Sequence, residues 1–393
     1  MITKRICPAC GNNSAEILHN ISMDLPEGIR LDHSYNIVCC DTCGNCYADT
    51  SASASDYDDY YTNHNIYGNG WQYNSSGIYD FSVITNLLNT FASKNTRIFD
   101  LGCGNGKLLM HLRNDGFTDL TGIDPGKATI DNLQKNSLNG IIGSIYEKPL
   151  EDIEKADVVI FSMVLEHLLL PKDALMNIRT NYLKKNGYII VTWPHFEDLI
   201  VDNSPILNNF NHEHINFFSV KTADILFSRV GFQRIKSHIS LAVSQGSFVE
   251  FSNIVLYRET DLSSNDLRSS IVKDEKLRNS ISEYVNRLSR RENQKIQTIS
   301  ELVQSQKPIA IWGTGAYLMH LTAISDLKKC NIVSIVDNNP LKQGTSIWDY
   351  LIASPQTLLN FTGTVLVAVM LYGKEIEEQI RNMGNDQCRI VLL

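Results

Sequence analysis

Four cysteines, arranged as two copies of one short pattern, are the residues whose spacing points most directly to chemistry. Cys7-Pro8-Ala9-Cys10-Gly11 and Cys40-Asp41-Thr42-Cys43-Gly44 each place two residues between the thiols and a glycine after the second. This spacing lets both sulfurs of a pair reach one ion, and the glycine permits a tight turn whose amides can face the sulfurs. Because four thiolates in a tetrahedral array suit zinc and leave no open position, the sequence predicts a structural zinc ion held by Cys7, Cys10, Cys40 and Cys43.

Other arrangements of the thiols stay open from the sequence alone. The gap between the two pairs is long, so unligated buried thiols are an alternative to a metal site. Cys39 and Cys46 are available as substitute ligands, but neither completes the pattern, and we expect neither to bind the ion. No histidine or carboxylate with an open position accompanies the four cysteines, so a catalytic zinc is not expected.

A glycine-rich segment, IFDLGCGNGKLL, is the sharpest signal in the chain. A short apolar strand is predicted to end at Leu101, and Gly102, Gly104 and Gly106 then form a turn with little side-chain bulk ahead of a helix. A ligand can approach the backbone of such a turn at the carboxyl end of a strand. Asp100, in the last part of the strand, can accept a hydrogen bond from a ligand ammonium.

A second acid ends the next predicted strand, where Asp124 suits a ribose diol. The Gly-x-Gly-x-Gly spacing after an acid resembles the first motif of class I S-adenosylmethionine-dependent methyltransferases. That resemblance implies that Asp100 and the glycines hold the methionine end, that Asp124 holds the ribose, and that Gly143-Ser144 lies near the adenine. Ser162, at the end of a later strand, completes the expected cofactor-binding set. An ordinary packing loop and an NAD site remain as alternatives.

Two histidine-containing segments supply candidates for acid–base chemistry. Val164-Leu165-Glu166-His167 ends a predicted strand on the cofactor side of the sheet, and a later loop contains His212, Glu213 and His214. Histidine is the usual general base near neutral pH, and a neighbouring carboxylate can orient it or raise its basicity. The grouping in this loop makes it a candidate catalytic segment.

The elements that must position these residues follow from the hydrophobic pattern. From Ile78 to about Leu256, short apolar runs such as ADVVIFSMV alternate with helical runs such as PKDALMNIRTNYLK. This alternation predicts an α/β fold with a mostly parallel, doubly wound sheet. Residues 51–76, rich in Ser, Asp, Tyr, Asn and Gly, are typical of an irregular connection.

The rest of the chain predicts a helical connection and a second, smaller α/β domain. Residues 261–306 are polar with apolar positions near helical spacing, and strand–helix alternation restarts after residue 306. We therefore divide the chain into a zinc-binding module with its connection, a doubly wound domain, a helical linker and a smaller Rossmann-like α/β domain. The expected boundaries are 1–70, 71–260, 261–306 and 307–393.

The order of these features resembles one family over almost the whole chain. Two Cys-x-x-Cys-Gly pairs, a class I methyltransferase core, a Glu-His pair, a helical linker and a second α/β domain are similar to the sugar C-methyltransferases that act on nucleotide-linked 4-keto deoxysugars. The resemblance implies that the substrate is surrounded by Tyr73, His167, Glu213 and His214. It also implies a glycine–serine turn at Gly246 and Ser247.

The same resemblance implies a reaction. A 4-keto group acidifies the neighbouring C3 proton, so His214 could remove it to give an enolate that is then methylated. Glu213 would fix the imidazole, while Tyr73 or His167 would stabilise the oxyanion. One position departs from the family: Asn211 stands where a Tyr is expected, and an amide cannot act as an acid. Methylation of a sugar hydroxyl stays open as an alternative, and so does a non-catalytic binding protein that kept the cofactor fold.

The last domain contains half of a nucleotide-binding fingerprint. Gly313 and Gly315 follow a predicted strand and Asp337 ends the next one, but Leu318 stands in place of the third glycine. A second cofactor is an alternative. We expect instead a lid that helps to enclose the substrate and to exclude water, as the family resemblance implies.

Composition narrows the remaining function classes. The chain has 393 residues, 43% of them hydrophobic, and a formal net charge of -8 without a long basic run. Nucleic acid is therefore not the expected partner, because phosphate binding needs clustered Lys and Arg. No apolar segment suggests a signal peptide or a membrane span. The expectations are a cytoplasmic enzyme, a small nucleotide-sugar substrate and no obligate protein partner.

Overall fold

The computed structural model describes residues 1–61, 81–149, 153–199, 206–243, 249–260, 271–370 and 372–393. Within them the chain forms three β-sheets of four, seven and six strands. The α/β class and the doubly wound central sheet predicted from the sequence are confirmed in these residues. Among the described helices, none has both the length and the apolar character that crossing a bilayer requires.

The central sheet contains the strands that the apolar runs predict. Its strands β4 to β8 are mutually parallel neighbours and run Ile98–Leu101, Leu120–Asp124, Asn139–Ile142, Ala156–Ser162 and Leu183–Pro194. Residues that alternate along β7 are buried in different apolar clusters, with Val159 and Phe161 in one and Val158 and Ile160 in the other. Since side chains alternate across a strand, both faces of this sheet are covered, as a doubly wound fold requires.

Helices cover the two faces in the order of the chain. Helices α2 (Ser82–Leu88), α3 (Lys107–Asn114) and α4 (Lys127–Lys135) place their buried residues in one cluster. Helices α5 (Pro171–Asn177) and α7 (Val220–Ser228) place theirs in the other. A π-helical turn, Ile178–Tyr182, ends the α5 segment. The carboxyl ends of β4, β5 and β7 carry the predicted site residues Asp100, Asp124 and Ser162.

One edge of the central sheet is an antiparallel hairpin that the sequence pattern did not reveal. Strands β10 (Phe232–Val243) and β11 (Val249–Glu259) pair with each other, and β11 also pairs antiparallel with β8. The complete order is therefore β10-β11-β8-β7-β4-β5-β6. Strand β11, the last strand of the domain, lies between β10 and β8, so the hairpin extends the sheet beyond β8.

The N-terminal sheet contains the cysteine pairs and a short strand from far along the chain. Strands β1 (Ala15–Ser22), β2 (Ser34–Cys40) and β3 (Cys46–Asp49) form an antiparallel meander. Strand β9 (Asn216–Phe217) adds to its edge through β3. This strand directly follows the His212–His214 loop, so the N-terminal sheet holds one end of the candidate catalytic segment.

The expectation of an irregular connection over 51–76 is wrong for its first part. Residues Ala54–Asp59 form helix α1, because Ser53 and Asp56 form a capping box that satisfies the amides of the first turn. The residues from 62 to 76 lie outside the described part of the chain. The helix is followed by Tyr60 and Tyr61, which reach the candidate site.

A 31-residue helix, α8 (Glu275–Ser305), connects the central sheet with the C-terminal sheet. The predicted linker of long helices is one continuous helix over its described residues. Tyr284 and Leu288 of α8 pack in the same apolar cluster as Ile21 of β1 and Leu318. The long helix therefore packs against the N-terminal sheet and the C-terminal domain and does not cross solvent between them.

The C-terminal sheet has the order β14-β15-β13-β12-β16-β17, and only the β14–β15 pair is antiparallel. The elements of this domain are β12 (Ile309–Trp312), α9 (Ala316–Ile324), β13 (Ile332–Val336), β14 (Ser346–Ile347), β15 (Tyr350–Ala353), β16 (Thr364–Val367), α10 (Gly373–Asn382) and β17 (Arg389–Leu392). The remaining short helix, α6 (Ile206–Asn209), lies earlier in the chain, between β8 and β9.

Candidate functional site

The four predicted zinc ligands converge at one point beside the N-terminal sheet. The Sγ atoms of Cys7 and Cys43 are 3.6 Å apart, and those of Cys10 and Cys40 are 3.5 Å apart. All four sulfurs lie within 4.8 Å of one another. Zinc–sulfur bonds of about 2.3 Å in a tetrahedron separate the sulfurs by about 3.8 Å. The thiols are therefore spaced for one tetrahedral ion, and they fit zinc.

Each cysteine pair is closed by the turn that its glycine permits. The amide of Gly11 donates to the carbonyl of Cys7 at 2.8 Å, and the amide of Gly44 donates to the carbonyl of Cys40 at 3.0 Å. Both glycines have left-handed φ angles of 80° and 76°. A side chain on Gly44 would lie 2.5 Å from the backbone nitrogen of Asp274, so this turn also contacts the residue that begins α8.

Cys39 and Cys46 lie outside this cluster. They are paired across β2 and β3, and their thiols face the carbonyl of Gly44 at 3.6 and 3.8 Å. Both side chains are fully buried in the apolar core. Their position agrees with the expectation that neither serves as a ligand.

The glycine turn after β4 forms an open crevice at the carboxyl edge of the central sheet. Gly102, Gly104 and Gly106 all have left-handed φ angles, of 73°, 48° and 74°. Side chains at Gly102 and Gly106 would collide with Val164 and Leu133. At Gly104 a Cβ would meet no described atom within 4 Å, so the space for a ligand opens at this glycine, and the site fits a bound nucleoside.

Two carboxylates face the same turn from neighbouring strands. Asp124 accepts hydrogen bonds from the amides of Gly104 at 3.2 Å and Gly126 at 2.8 Å. Asp100 is 2% exposed, and burial, together with the nearby charge of Asp124, raises the pKa of its carboxyl to about 7. Burial likewise raises the pKa of Asp124, against the effect of the two amides. A cationic ligand group would relieve this unfavourable pair of buried acids.

Ser144 and Ser162 occupy different settings around the crevice. The carbonyl of Ser144 accepts a hydrogen bond from the Tyr182 hydroxyl at 3.1 Å, and its side chain is bound by the amide of Tyr146. The hydroxyl of Ser162 shares a hydrogen bond of 3.0 Å with Thr192 on β8. Ser144 follows β6 and Ser162 ends β7 on the crevice side, but neither side chain is left without a local partner.

The strand end after Ser162 connects the crevice with the candidate catalytic residues. Met163 has a left-handed φ of 54°, which is uncommon for a non-glycine residue and is held by two hydrogen bonds to Thr192. Val164 packs directly over Gly102. The next residues, Leu165–His167, form a 3₁₀ turn, so Glu166 and His167 lie one turn from the glycine loop.

Glu166, which is fully buried, forms a cluster with the half-buried His167 and His214 at this point. The rings of His167 and His214 meet edge to face with centroids 4.9 Å apart. The Oε1 atom of Glu166 is 3.8 Å from Nε2 of His167. Burial lowers the pKa of His167 to about 3 and that of His214 to about 4. Both imidazoles are therefore neutral at pH 7 and have a lone pair available.

Hydrogen bonds to backbone carbonyls orient the cluster. Nδ1 of His167 lies 2.9 Å from the carbonyl oxygen of Glu213. Because a carbonyl can only accept, Nδ1 carries the proton and Nε2 presents its lone pair toward Glu166. Nδ1 of His214 has no hydrogen-bond partner among the described residues. The ring of His214 is also bound to the backbone of Asn209, which favours its protonated form.

Tyr60 and Tyr61 are site residues that the sequence reasoning missed. The hydroxyl of Tyr60 donates to Oε1 of Glu213 at 2.8 Å, and the hydroxyl of Tyr61 lies 3.3 Å from Nδ1 of His167. The capping box at Ser53 and Asp56 is the signal that could have placed a helix, and hence these phenols, in ordered structure. Their neighbours are separated from them by more than a hundred positions, which no local pattern reveals.

Asn211 stands where the family pattern has a Tyr, and its side chain makes hydrogen bonds within the loop. Its Oδ1 accepts hydrogen bonds from the amides of Glu213 at 2.8 Å and His214 at 2.9 Å. This side chain shapes the turn of the catalytic loop. A phenol is still present beside Glu213, supplied by Tyr60.

Asn216 joins the two halves of the cluster. Its side-chain amide donates to the carbonyls of Leu165 at 3.1 Å and Leu168 at 2.7 Å, and its Oδ1 accepts from Arg5 at 2.8 Å. The residue is fully buried. It therefore fixes the Glu166–His167 turn against the loop that carries His214.

Other candidate residues lie elsewhere or outside the described chain. His212 is bound by Met23 and by the carbonyl of Asp32, so it points into the N-terminal core and away from the cluster. Tyr73, Gly246 and Ser247 lie outside the described residues. In the C-terminal sheet, Asp337 accepts from the amide and hydroxyl of Thr314, so its carboxylate is engaged by the chain itself.

Comparison with known proteins identifies the central sheet. Residues 77–237 match a family model described as a methyltransferase domain, and residues 305–391 match one described as C2185-like, N-terminal. The first match spans β4 to β10 and contains the glycine turn, both acids and the histidine cluster. This part of the chain is therefore a methyltransferase domain with an α/β fold.

Two relatives share part of this domain. One, a carboxy-S-adenosyl-L-methionine synthase of Campylobacter lari, is 33% identical over 99 residues, which is 24% of this chain and 42% of that protein. Another, EEF1A lysine methyltransferase 2 of Danio rerio, is 29% identical over 113 residues, or 25% of this chain and 48% of that protein. The chain thus spans less than half the length of either relative.

Solved structures resemble part of this chain at low identity. A S-adenosylmethionine-dependent methyltransferase of Methanosarcina mazei is 12% identical with a TM-score of 0.37, covering 44% of this chain and 97% of that one. The N-methyltransferase NodS of Bradyrhizobium japonicum, in complex with S-adenosyl-L-homocysteine, is 14% identical with a TM-score of 0.35, covering 46% and 85%.

Proposed function

We propose that this chain is an S-adenosylmethionine-dependent methyltransferase whose acceptor binds at the Glu166–His167–His214 cluster. One observation carries the proposal: Val164, packed on Gly102 of the glycine turn, is followed within three residues by two members of the cluster. The cofactor crevice and the titratable group are therefore adjacent on one edge of the sheet.

The chain's own residues account for cofactor binding. Asp100 accepts from the ammonium of the methionine end, Asp124 binds the ribose diol, and Gly104 leaves room for the ligand backbone. Ser144 and Ser162 line the crevice further along the sheet. The cofactor supplies an electrophilic methyl group when bound.

The acceptor is activated by removal of a proton in the cluster. His214 is neutral at pH 7 and its Nδ1 is available, so it takes the proton of the acceptor. Glu213, next to it, is bound by Tyr60, and burial raises the pKa of its carboxyl. The phenol of Tyr61, beside His167, stabilises negative charge that develops on the acceptor, while His167 is fixed by the Glu213 carbonyl.

We further propose that the acceptor is a nucleotide-linked 4-keto deoxysugar methylated at C3. The order of the sequence features resembles that family, and a neutral imidazole beside phenol donors suits removal of a proton next to a ketone. Asn211, which shapes the loop, does not weaken this proposal, because Tyr60 supplies a phenol at Glu213.

A product assay tests the function. The full chain is incubated with S-adenosylmethionine and a panel of nucleotide sugars, and products are identified by mass spectrometry. A mass gain of one methyl group on a 4-keto sugar, with enzyme-dependent deuterium exchange at C3, is expected. Methylation without C3 exchange would point to a sugar hydroxyl as acceptor. Cofactor binding by calorimetry without transfer to any acceptor would point to a binding protein.

The four-cysteine cluster is proposed to hold structural zinc. Four thiolates leave no open position for chemistry, and the sulfur spacing suits one tetrahedral ion. The cluster acts on the site through structure: β3, which begins next to Cys43, pairs with β9 at the end of the catalytic loop.

A further inference from the structure

We propose that Glu166, His167 and His214 bind one divalent transition-metal cation, separate from the four-cysteine site. One ligand atom from each of the three residues lies within 4.8 Å of the others. Two imidazole nitrogens and one carboxylate on a single face, with further positions open, form a donor set that binds Mn²⁺, Fe²⁺ or Zn²⁺. Ligands about 2.1 Å from one ion lie about 3.0–3.4 Å apart when they share one face, so the three side chains close by up to about 1.8 Å to bind it.

An unpartnered carboxylate is the first observation that points to a cation. Glu166 is fully buried, and neither of its oxygens has a hydrogen-bond partner among the described residues. Buried carboxylates are nearly always hydrogen-bonded, paired or bound to a metal. No described positively charged side chain offsets this burial, which raises the pKa of the Glu166 carboxyl to about 8. The side chain is therefore placed for a partner that the polypeptide itself does not supply.

The tautomers of the two histidines are a second, independent observation. The Glu213 carbonyl holds the proton of His167 on Nδ1, so Nε2 faces Glu166 with its lone pair. The ring of His214 is bound to the Asn209 backbone, while its Nδ1 is unpartnered. Metal-binding histidines commonly donate their other ring nitrogen to a carbonyl or carboxylate, which fixes the ligand nitrogen.

The site also has the rigidity that metal binding requires. The turn with Glu166 and His167 and the loop with His214 are joined by Asn216 and by the hydrogen bond from the Ile215 amide to the Glu166 carbonyl at 2.9 Å. Three ligands from two segments are thus held together by backbone contacts. The carboxylate and imidazole donors are harder than thiolates, so Mn²⁺ discriminates this site from the cysteine cluster.

A bound cation would give the cluster a defined role, which rests on the proposed function. The open coordination positions would take an oxygen of the acceptor next to the atom that is methylated. The positive charge lowers the pKa of the acceptor group. Because His214 is then a ligand, the adjacent Glu213 carboxylate takes the proton in the metal-bound protein. The acceptor class is then a sugar or related molecule with a ketone or hydroxyl that can bind a metal.

Manganese binding tests the site without reference to methyl transfer. The zinc-loaded full chain is titrated with MnCl2, and free Mn²⁺ is followed by electron paramagnetic resonance. We expect one additional Mn²⁺ per chain in the wild type. Glu166→Gln, which keeps the shape of the side chain, should weaken Mn²⁺ binding by at least about tenfold. Glu283→Gln, an exposed change on α8, is the matched control and should bind as the wild type does.

The outcomes separate this inference from the proposed function. No additional Mn²⁺ in the wild type, or equal binding by wild type and Glu166→Gln, overturns the metal site. If Glu166→Gln does not fold, His167→Gln replaces it in the same titration. S-Adenosylmethionine binding is measured in parallel by calorimetry, so a chain that binds Mn²⁺ but not the cofactor retains the metal site and loses the function. Full methyl transfer after chelation of the added metal would restore His214 to the role of base.

Discussion

At the scale of single residues, the site is defined by polar groups that are buried next to open space. Asp100 and Asp124 face the glycine turn, and Glu166, His167 and His214 lie one turn further along. Burial shifts the pKa values of these groups away from their ordinary range, which is typical of ligand sites. Their effects on binding can be measured one residue at a time.

Gly104 should be the glycine at which a methyl group blocks the cofactor. Its Cβ would meet no described atom, so Gly104→Ala adds only the strain of a left-handed alanine, about 1 kcal/mol, and fills the ligand space. We expect affinity for S-adenosylmethionine to fall by at least about tenfold, measured by calorimetry. Gly344→Ala is the matched control, because Gly344 also has a left-handed φ and open surroundings but lies in the C-terminal sheet region. Equal losses in both variants would contradict this assignment.

Asp100 should make cofactor binding dependent on pH. Its pKa is raised to about 7, so below pH 7 the folded protein holds a proton on this carboxyl that must leave before a ligand ammonium can be bound. Affinity should therefore rise as pH increases from 5 to 7, by up to about tenfold per pH unit, and level off above.

The control for Asp100 is its amide. In Asp100→Asn the group no longer titrates, so calorimetry between pH 5 and 7 should give a weaker affinity with a flat pH profile. A variant that keeps the wild-type slope would assign the pH dependence to another group, with Asp124 as the next candidate because burial also raises its pKa.

His214 should be required for transfer and not for cofactor binding. His214→Asn removes both the proton acceptor and the proposed ligand nitrogen, so turnover should fall by at least about a hundredfold. The affinity for S-adenosylmethionine should change less than about twofold, since His214 lies outside the glycine turn. His238→Asn, on the edge strand β10, is the control with full activity. Retained turnover in His214→Asn would remove this residue from the mechanism.

At the scale of elements, the catalytic loop is positioned by strands and turns that come from distant parts of the chain. Strand β9 pairs with β3, and the amide of Ala48 donates to the carbonyl of Ile215 at 2.9 Å. Helix α1 brings Tyr60 against Glu213. The N-terminal sheet is thus a structural support for the methyltransferase domain, and its contacts explain why the loop needs no regular structure of its own.

Asn216 is the residue on which this positioning depends. Asn216→Ala removes buried hydrogen bonds to the Glu166–His167 turn, so we expect a loss of about 2–4 kcal/mol in the free energy of unfolding and a lower kcat. Asn385→Ala is the matched control, because Asn385 is equally buried and binds the carbonyls of Leu358 and Phe361 in the C-terminal domain. Asn385→Ala should lower the free energy of unfolding by a similar amount without lowering the kcat of the folded protein. A similar kcat loss in both would show a general effect of instability.

At the scale of the whole molecule, one apolar cluster links the N-terminal sheet, the long helix α8 and the C-terminal sheet. Asp274 begins α8 and receives a hydrogen bond from Ser219 at 2.6 Å, while its amide donates to the carbonyl of Cys43 at 3.0 Å. The cysteine turn, the start of α7 and the start of α8 therefore meet at one residue. A change in the Cys40–Gly44 turn should therefore lower the stability of the whole chain.

Gly44 tests this coupling. Gly44→Ala places a methyl group 2.5 Å from the Asp274 nitrogen in a left-handed conformation, so it should lower the free energy of unfolding by at least about 3 kcal/mol and reduce zinc content. Gly28→Ala is the control, because Gly28 has the same sign of φ and open surroundings. Gly28→Ala should lower the free energy of unfolding by about 1 kcal/mol without reducing the zinc content. Thermal unfolding and metal analysis measure both, and equal losses would contradict the proposed coupling.

Features with a local signal could be predicted from the amino-acid sequence alone. The glycine turn after an acid, the two cysteine patterns and the alternation of apolar runs each lie within a dozen residues, and they predicted the α/β fold, the crevice and the convergence of the four thiols. These features could be predicted because backbone conformation and side-chain periodicity are set by neighbours in the chain.

The contacts between groups that are distant in the sequence became visible with the folded structure. It placed Tyr60 on Glu213, brought Glu166 against His167 and His214, and turned His212 into the N-terminal core. It also placed β11 antiparallel beside β8. These contacts depend on how sheets and helices pack over a hundred or more residues, and no spacing in the sequence records which buried carboxylate is left without a partner.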